Sequence, residues 1–114
     1  MSKPTLEVLA RVYPYPEVDG GKPWHIEVTG QTARTLLHAV NAGPQGFTAL
    51  EISTWALRLS HYIFCLRGEG VTITMEREDH DGPVGDGWHG RYRLKNRVEI
   101  IEVRGAAFGR RAAA

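Results

Sequence analysis

Hydrophobic and polar residues alternate over the first part of the chain, as they do in a strand with one buried face. Residues 5–13 carry apolar side chains at every second position. These side chains are Leu6, Val8, Ala10 and Val12. Residues 24–28, Trp-His-Ile-Glu-Val, alternate in the same way, and residues 14–23 between the two segments hold three prolines and a Gly-Gly pair. Because prolines and paired glycines favour loops, we predict two strands that can form a hairpin.

The spacing of the apolar residues becomes helical after Thr29. Four of them recur at positions i, i+3, i+4 and i+7 and therefore share one helix face. They are Ala33, Leu36, Leu37 and Val40. We expect this first helix to begin at Thr29 or Gly30. It should end at Gly43-Pro44, because glycine followed by proline is a common helix stop.

A second helix is predicted from Thr48. The sequence Thr48-Ala-Leu-Glu51 has the capping-box pattern, in which the hydroxyl accepts a hydrogen bond from an amide of the first turn and the carboxylate reaches back. Phe47 and Ile52 flank this box at the positions of a hydrophobic staple. The two signals agree on one helix start, and Ser53-Thr54 can end this helix and cap the next.

A third helix is predicted over residues 55–67, with Gly68 and Gly70 closing it. At 100° per residue its inward stripe is apolar. That stripe consists of Leu59, Ile63 and Leu66, flanked by Trp55, Ala56 and Tyr62. The helix therefore has a core-facing side and an opposite side that is available for another role.

Two alternating segments after the third helix predict a β-hairpin. Residues 71–75 and 91–95 each place apolar side chains at every second position. Residues 78–90 contain five glycines or prolines and four acids, which predict a long polar loop between them. Residues 97–104 predict a third strand or a continuation of the second. The small and polar tail from Gly105 is expected to be disordered.

The predicted order β-β-α-α-α-β-β-β is an α+β fold with a three-helix unit ahead of a β-wing. Residues 58–73, Arg-Leu-Ser-His-Tyr-Ile-Phe-Cys-Leu-Arg-Gly-Glu-Gly-Val-Thr-Ile, resemble the recognition helix and strand entry of winged helix-turn-helix domains. Gly90-Arg-Tyr-Arg-Leu94 resembles their returning wing strand. More narrowly, the chain resembles small winged-helix domains of bacteria and their prophages. We expect three parts: an N-terminal strand pair (1–29), the winged helix-turn-helix domain (30–104) and a flexible basic tail (105–114).

This resemblance implies a small protein that binds double-stranded DNA through the third helix and the wing, as a transcriptional regulator or a phage-type DNA-associated protein. On the outer face of that helix, Arg58, Ser60 and His61 are the residues that can contact base edges. Leu57 and Phe64 are apolar on the same face. This face could instead be covered by the N-terminal strands, or it could bind a second copy or a different protein. The alternative function is therefore a protein–protein interaction module on a winged-helix scaffold.

Basic residues on the returning strand are candidates for phosphate contacts. Arg91, Arg93 and Lys95 share one strand face, which Arg97 would continue. The alternative is that they pair with acids across the hairpin. If Glu76 lies opposite Arg91, then Arg93 and Lys95 stay unpaired, which slightly favours phosphate contact. The acidic residues 78–81 argue against entry of the wing tip into a minor groove.

Composition narrows the remaining classes of function. Residues 91–111 carry seven basic and two acidic residues on a chain of net charge +1, which suits a local contact with an anion. The single cysteine, Cys65, excludes an internal disulfide and fits a cytoplasmic protein. No apolar run approaches the roughly 18 residues of a membrane span. His61 and Cys65 are four apart, but two further ligands are not evident, so we expect no metal, no cofactor and no enzymatic activity.

Overall fold

The computed structural model describes residues 5–52, 58–80 and 87–105. Two α-helices and six strands form in this part of the chain. In chain order they are β1 (Glu7–Val12), β2 (Trp24–Thr29), α1 (Gly30–Ala42), β3 (Phe47–Thr48), α2 (Leu59–Gly68), β4 (Ile73–His80), β5 (Gly87–Leu94) and β6 (Val98–Arg104). Short 3₁₀ turns occupy Gly43–Gln45 and Ala49–Ile52.

The first sheet has the strand order β2-β1-β6 and is antiparallel throughout. The predicted N-terminal hairpin is confirmed, with Ala10 opposite Ile26. The predicted period of two is confirmed as well, because Val8, Ala10 and Val12 are completely buried. The predicted third strand also forms, and it pairs with β1. The N-terminal strand pair and the last strand therefore belong to one sheet.

The second sheet, which we call the wing sheet, has the order β3-β5-β4. Its hairpin is longer than predicted, because β4 runs to His80 and β5 begins at Gly87. Pairing across the two strands satisfies backbone groups that the polar composition had assigned to a loop. Residues 81–86 lie outside the described residues.

The first helix agrees with its prediction. α1 begins after Thr29 and ends at Gly43, whose φ of 65° is accessible to glycine. Ala33 and Leu36 of the apolar stripe are buried, and Leu37 and Val40 pack against the core from partly buried positions.

The three-helix unit is wrong in the described residues. Thr48, the predicted helix cap, lies in β3, where it is paired with Arg91. Its neighbour Phe47 is fully buried and stacks on Tyr92, with 5.8 Å between the ring centroids. The capping-box pattern is local, and this pairing with a strand more than forty residues away takes precedence over it. Only a 3₁₀ turn follows, at Ala49–Ile52.

The close approach of β3 to β5 depends on Gly46. Its φ is 70°, and a Cβ atom there would lie 2.3 Å from the Tyr92 carbonyl oxygen. Any other residue would therefore collide with the backbone of β5.

The helix predicted over residues 55–67 is shorter in the structure. Arg58 has φ −118° and ψ 46°, which are not helical, so α2 begins at Leu59. The predicted start at Trp55 lies outside the described residues. The inward stripe is confirmed, since Leu59, Ile63 and Leu66 are all buried. At the other end of α2, Arg67 Nη2 donates to the Ile73 carbonyl at 2.7 Å and fixes the first residue of β4 to the helix.

Candidate nucleic-acid interface

The outer face of α2 carries the polar residues that the sequence assigns to DNA. Arg58 precedes the helix, Ser60 and His61 lie in its first turn, and all three are exposed. They come together because burial of Leu59 and Ile63 turns this side outward. The three predicted groove-facing residues therefore share one accessible end of the helix.

Phe64 lies on the same outer side of α2, one turn further along. Its side chain is 71% exposed, the largest exposed fraction among the large apolar residues of the described chain. The N-terminal strands therefore do not cover it, and the prediction of such a cover is wrong for Phe64. Contact with DNA and contact with a protein both remain for this residue. Leu57, the second apolar candidate, lies outside the described residues.

His61 and Cys65 approach each other on α2, with 3.7 Å between Nε2 and Sγ. His61 also contacts the ring of Tyr62 edge-on, at 5.7 Å between centroids. Within residues 5–52, 58–80 and 87–105 no group of three or more His, Cys, Asp or Glu side chains is arranged to hold a metal ion.

The register of the wing sheet agrees with the prediction, but the pairing of its arginines does not. Glu76 lies opposite Arg91 and Thr74 opposite Arg93. Arg93 was expected to be unpaired, and this is wrong: its Nη1 lies 2.5 Å from Glu76 Oε2. Opposite charges reach each other here along the diagonal of the hairpin rather than directly across it.

Arg91 is paired along the same diagonal direction. Its Nε donates to Glu78 Oε2 at 2.6 Å, and Glu51 lies 3.8 Å from its Nη1. His89 Nε2 lies 2.9 Å from the other oxygen of Glu78. The hydrogen bond from Arg91, and then that from His89, lowers the pKa of Glu78 below its ordinary value. Glu78 in turn raises the pKa of Arg91.

Both wing arginines also hold the segment that follows α1. Arg93 Nε donates to the Pro44 carbonyl and Arg91 Nη1 to the Gln45 carbonyl, each at 3.2 Å. These carbonyls lie at a 3₁₀ turn that follows a helix end, where acceptors often lack backbone partners. Arg91 and Arg93 therefore brace the wing against the end of α1. No pattern in the sequence indicates this role, because the partners are more than forty positions away.

The remaining cations of the basic strand behave differently. Lys95 is exposed and has no ion pair in the part of the chain that the structure describes. Arg97 was expected to continue the wing face, but it leaves that face. Its Nε lies 3.2 Å from Glu17 Oε1, and its guanidinium lies over the ring of Tyr13 at 3.5 Å. Arg97 therefore joins the first sheet to the loop after β1.

Two apolar side chains of the wing are more exposed than the pattern indicated. Met75 is 47% and Trp88 is 52% exposed, because the hairpin extends beyond the core. Arg77 lies 5.0 Å from the centroid of the Trp88 ring and forms an ion pair with Asp79. This outer half of the wing pairs its charges internally, as the inner half does.

Comparison with known proteins supports the architecture. The chain matches the HTH_91 family, described as a winged helix domain, over residues 25–104. No curated protein and no solved structure matches it significantly. No helix in residues 5–52, 58–80 and 87–105 is long and apolar enough to cross a membrane. The match extends from β2 to the end of β6 and includes both helices and the whole wing sheet. Since it covers more than half of the chain, the protein belongs to this family of winged helix domains.

Proposed function

We propose that this protein binds double-stranded DNA through the first turn of α2, assisted by the wing. The observation that carries the proposal is the exposed trio of Arg58, Ser60 and His61 at one end of the recognition helix of a winged helix domain. In helix-turn-helix proteins the N-terminal residues of this helix contact base edges in the major groove. The proposal includes a non-enzymatic role in the cytoplasm of a bacterium, as a regulator or a phage-type protein.

The wing supplies less charge to this contact than its arginine count indicates. Arg91 and Arg93 already face Glu78 and Glu76 at 2.6 and 2.5 Å. A phosphate must compete with these carboxylates, whereas Lys95 has no acid to displace in the described chain. We therefore propose Lys95 and Arg58 as the main phosphate contacts, with Arg91 and Arg93 positioning the wing.

The limits of the domain are also part of the proposal. Residues 1–29 form a strand pair packed on a winged helix domain of residues 30–104. A tail of residues 105–114, which contains Arg110 and Arg111, adds loose electrostatic contacts. A chain that ends at Arg104 should then bind duplex more weakly but keep its fold.

Titration of the full chain with a random-sequence duplex tests DNA binding. We expect micromolar affinity at low salt, and a decline as salt rises from about 50 to 200 mM, because phosphate contacts release counterions. Arg58→Ala should weaken binding, whereas Lys22→Ala, at an exposed position in the β1–β2 loop, is the matched control. The proposal fails if no binding occurs at micromolar protein or if binding is indifferent to salt.

The exposure of Phe64 favours a second candidate function, a protein-interaction module that uses the outer face of α2. A side chain that is 71% exposed on a helix is a typical contact residue of a protein interface. Sedimentation of the parent and of Phe64→Asp separates the candidates. A parent that self-associates beside a folded, monomeric variant favours the interface, and identical monomers with intact DNA binding favour the groove.

A further inference from the structure

A cleft of about 440 Å³ lies where α1 ends and the two sheets meet. Its walls come from three parts of the chain: the end of α1, the segment from β5 into β6, and the loop after β1. None of the residues assigned to the groove contact on α2 lines it. The cleft is thus separate from the face proposed for base reading.

The floor of the cleft is fixed by Asn96, which is only 6% exposed. Its Oδ1 accepts a hydrogen bond from the Thr72 amide at 2.6 Å, and its Nδ2 donates to the Tyr13 carbonyl at 2.8 Å. The amide of Lys95 donates to the Thr72 carbonyl at 2.9 Å. These bonds tie the turn between β5 and β6 to both sheets, so the cleft has a preformed base.

The sides of the cleft are mostly apolar. Val40 and Pro44 contribute from the end of α1, and Leu94 and Val98 from the strands. All except the exposed Pro44 are partly buried. Tyr15 forms one flank and is 49% exposed. A compact apolar group seated here would remove these surfaces from water, which is favourable.

The charges around the cleft have one sign. Arg93 and Lys95 line it, and no acidic residue of the described chain does so. Arg93 uses Nε for Pro44 and Nη1 for Glu76, which leaves its Nη2 amino group available. The ammonium of Lys95 has no ion pair among the described residues. Two donors of positive charge beside apolar walls complement an anion with an apolar body.

We propose that this cleft binds a small organic monocarboxylate, with the carboxylate on Lys95 and Arg93 and a compact apolar body against Val40, Leu94 and Val98. The proposal goes beyond DNA binding and does not depend on it. Inorganic phosphate has the charge but not the apolar body, and it should bind more weakly. A neutral amide has the body but not the charge, and it should also bind more weakly.

Titration of the ¹⁵N-labelled chain, followed by amide NMR, tests the proposal with three probes: phenylacetate, phenylacetamide and inorganic phosphate at constant ionic strength. We expect saturable shifts for phenylacetate at the amides of residues 39–43 and 93–98, with a Kd below about 1 mM. Phenylacetamide and phosphate should each bind at least about tenfold more weakly. Lys95→Met should reduce phenylacetate affinity about tenfold, and Lys22→Met should not change it.

Three results would overturn the carboxylate site. The first is the absence of any saturable shift at these amides with phenylacetate up to about 10 mM. The second is equal binding of the amide and the acid, which would make the cleft a purely apolar one. The third is equal binding of phosphate and phenylacetate, which would make it a simple anion site of the kind that DNA phosphates occupy. The amide spectrum of Lys95→Met reports directly whether that variant is folded.

Discussion

Arg93 on β5 donates a hydrogen bond from Nη1 to Glu76 on β4 at 2.5 Å, although the residue directly opposite Arg93 is Thr74. The same arginine donates from Nε to the Pro44 carbonyl. One side chain thus connects both strands of the wing to the end of α1. Its charge is largely compensated within the protein, which changes what the wing can offer to a phosphate.

The Glu76→Gln variant should bind random duplex more tightly than the parent. Removal of the carboxylate leaves Arg93 without its ionic partner and makes its charge available to a phosphate. We expect the slope of log affinity against log salt to steepen by about one unit. Fluorescence anisotropy with a labelled duplex at several salt concentrations measures both quantities.

The matched control for Glu76→Gln is Glu102→Gln, which removes an exposed acid from β6 in the other sheet. It changes the net charge equally but does not act on the wing. Equal gains in the two variants would mean that only net charge matters, and the compensation of Arg93 by Glu76 would then have no role.

The pairing of Arg93 also shows where prediction from the sequence succeeds and where it stops. The register of Glu76 opposite Arg91 followed from which residues share a strand face, because period two determines the faces. The diagonal contact depends on side-chain length and on the twist of the hairpin, which periodicity does not contain. The Pro44 carbonyl is 49 positions from Arg93, and no local pattern connects the two.

The segment around Phe47 shows the same limit for the backbone. Thr48 and Glu51 satisfy the pattern of a helix start, and the apolar pair Phe47 and Ile52 supports it. Both apolar residues are buried as a staple would require. Their burial, however, is against the wing and core, and the strand pairing with Tyr92 determines the conformation. Burial was predictable here, and the secondary structure was not.

Phe47→Ala and Phe64→Ala form a matched pair that tests this arrangement. Phe47 is fully buried, so its truncation should lower the free energy of unfolding by about 3–5 kcal/mol. Phe64 is 71% exposed, so its truncation should change that free energy by no more than about 0.5 kcal/mol. Urea unfolding followed by circular dichroism measures both. Equal losses would contradict the burial of Phe47 under the wing sheet.

Asn96 should be important for stability although it is polar. Asn96→Ala leaves the Thr72 amide and the Tyr13 carbonyl without their present partners, and each lost bond to a buried group costs about 1–3 kcal/mol. We expect a clear decrease in the free energy of unfolding. Asn41→Ala, at an exposed position on α1, is the control and should have little effect. A stable Asn96→Ala protein would show that water replaces both bonds readily.

The cluster of Glu78, Arg91 and His89 should make stability depend on pH in the acid range. The hydrogen bond from Arg91, and then that from His89, lowers the pKa of Glu78 in the folded protein. The unfolded chain therefore takes up a proton at this site at a higher pH than the folded one. Stability from Glu78 is then complete above its unfolded value of about 4.3, and it is lost as the pH falls from there through the lower folded value.

Glu78→Gln tests this dependence, because the amide cannot titrate. At pH 7 the variant should be less stable than the parent, and the difference should shrink as the pH falls below about 4.3. Urea unfolding midpoints between pH 7 and acid measure it. Asp19→Asn, in the exposed β1–β2 loop, reports the effect of removing one negative charge elsewhere. A Glu78→Gln deficit that stays constant through the acid range would show that Arg91 holds the amide as well as the carboxylate, and that charge is not what stabilises this contact.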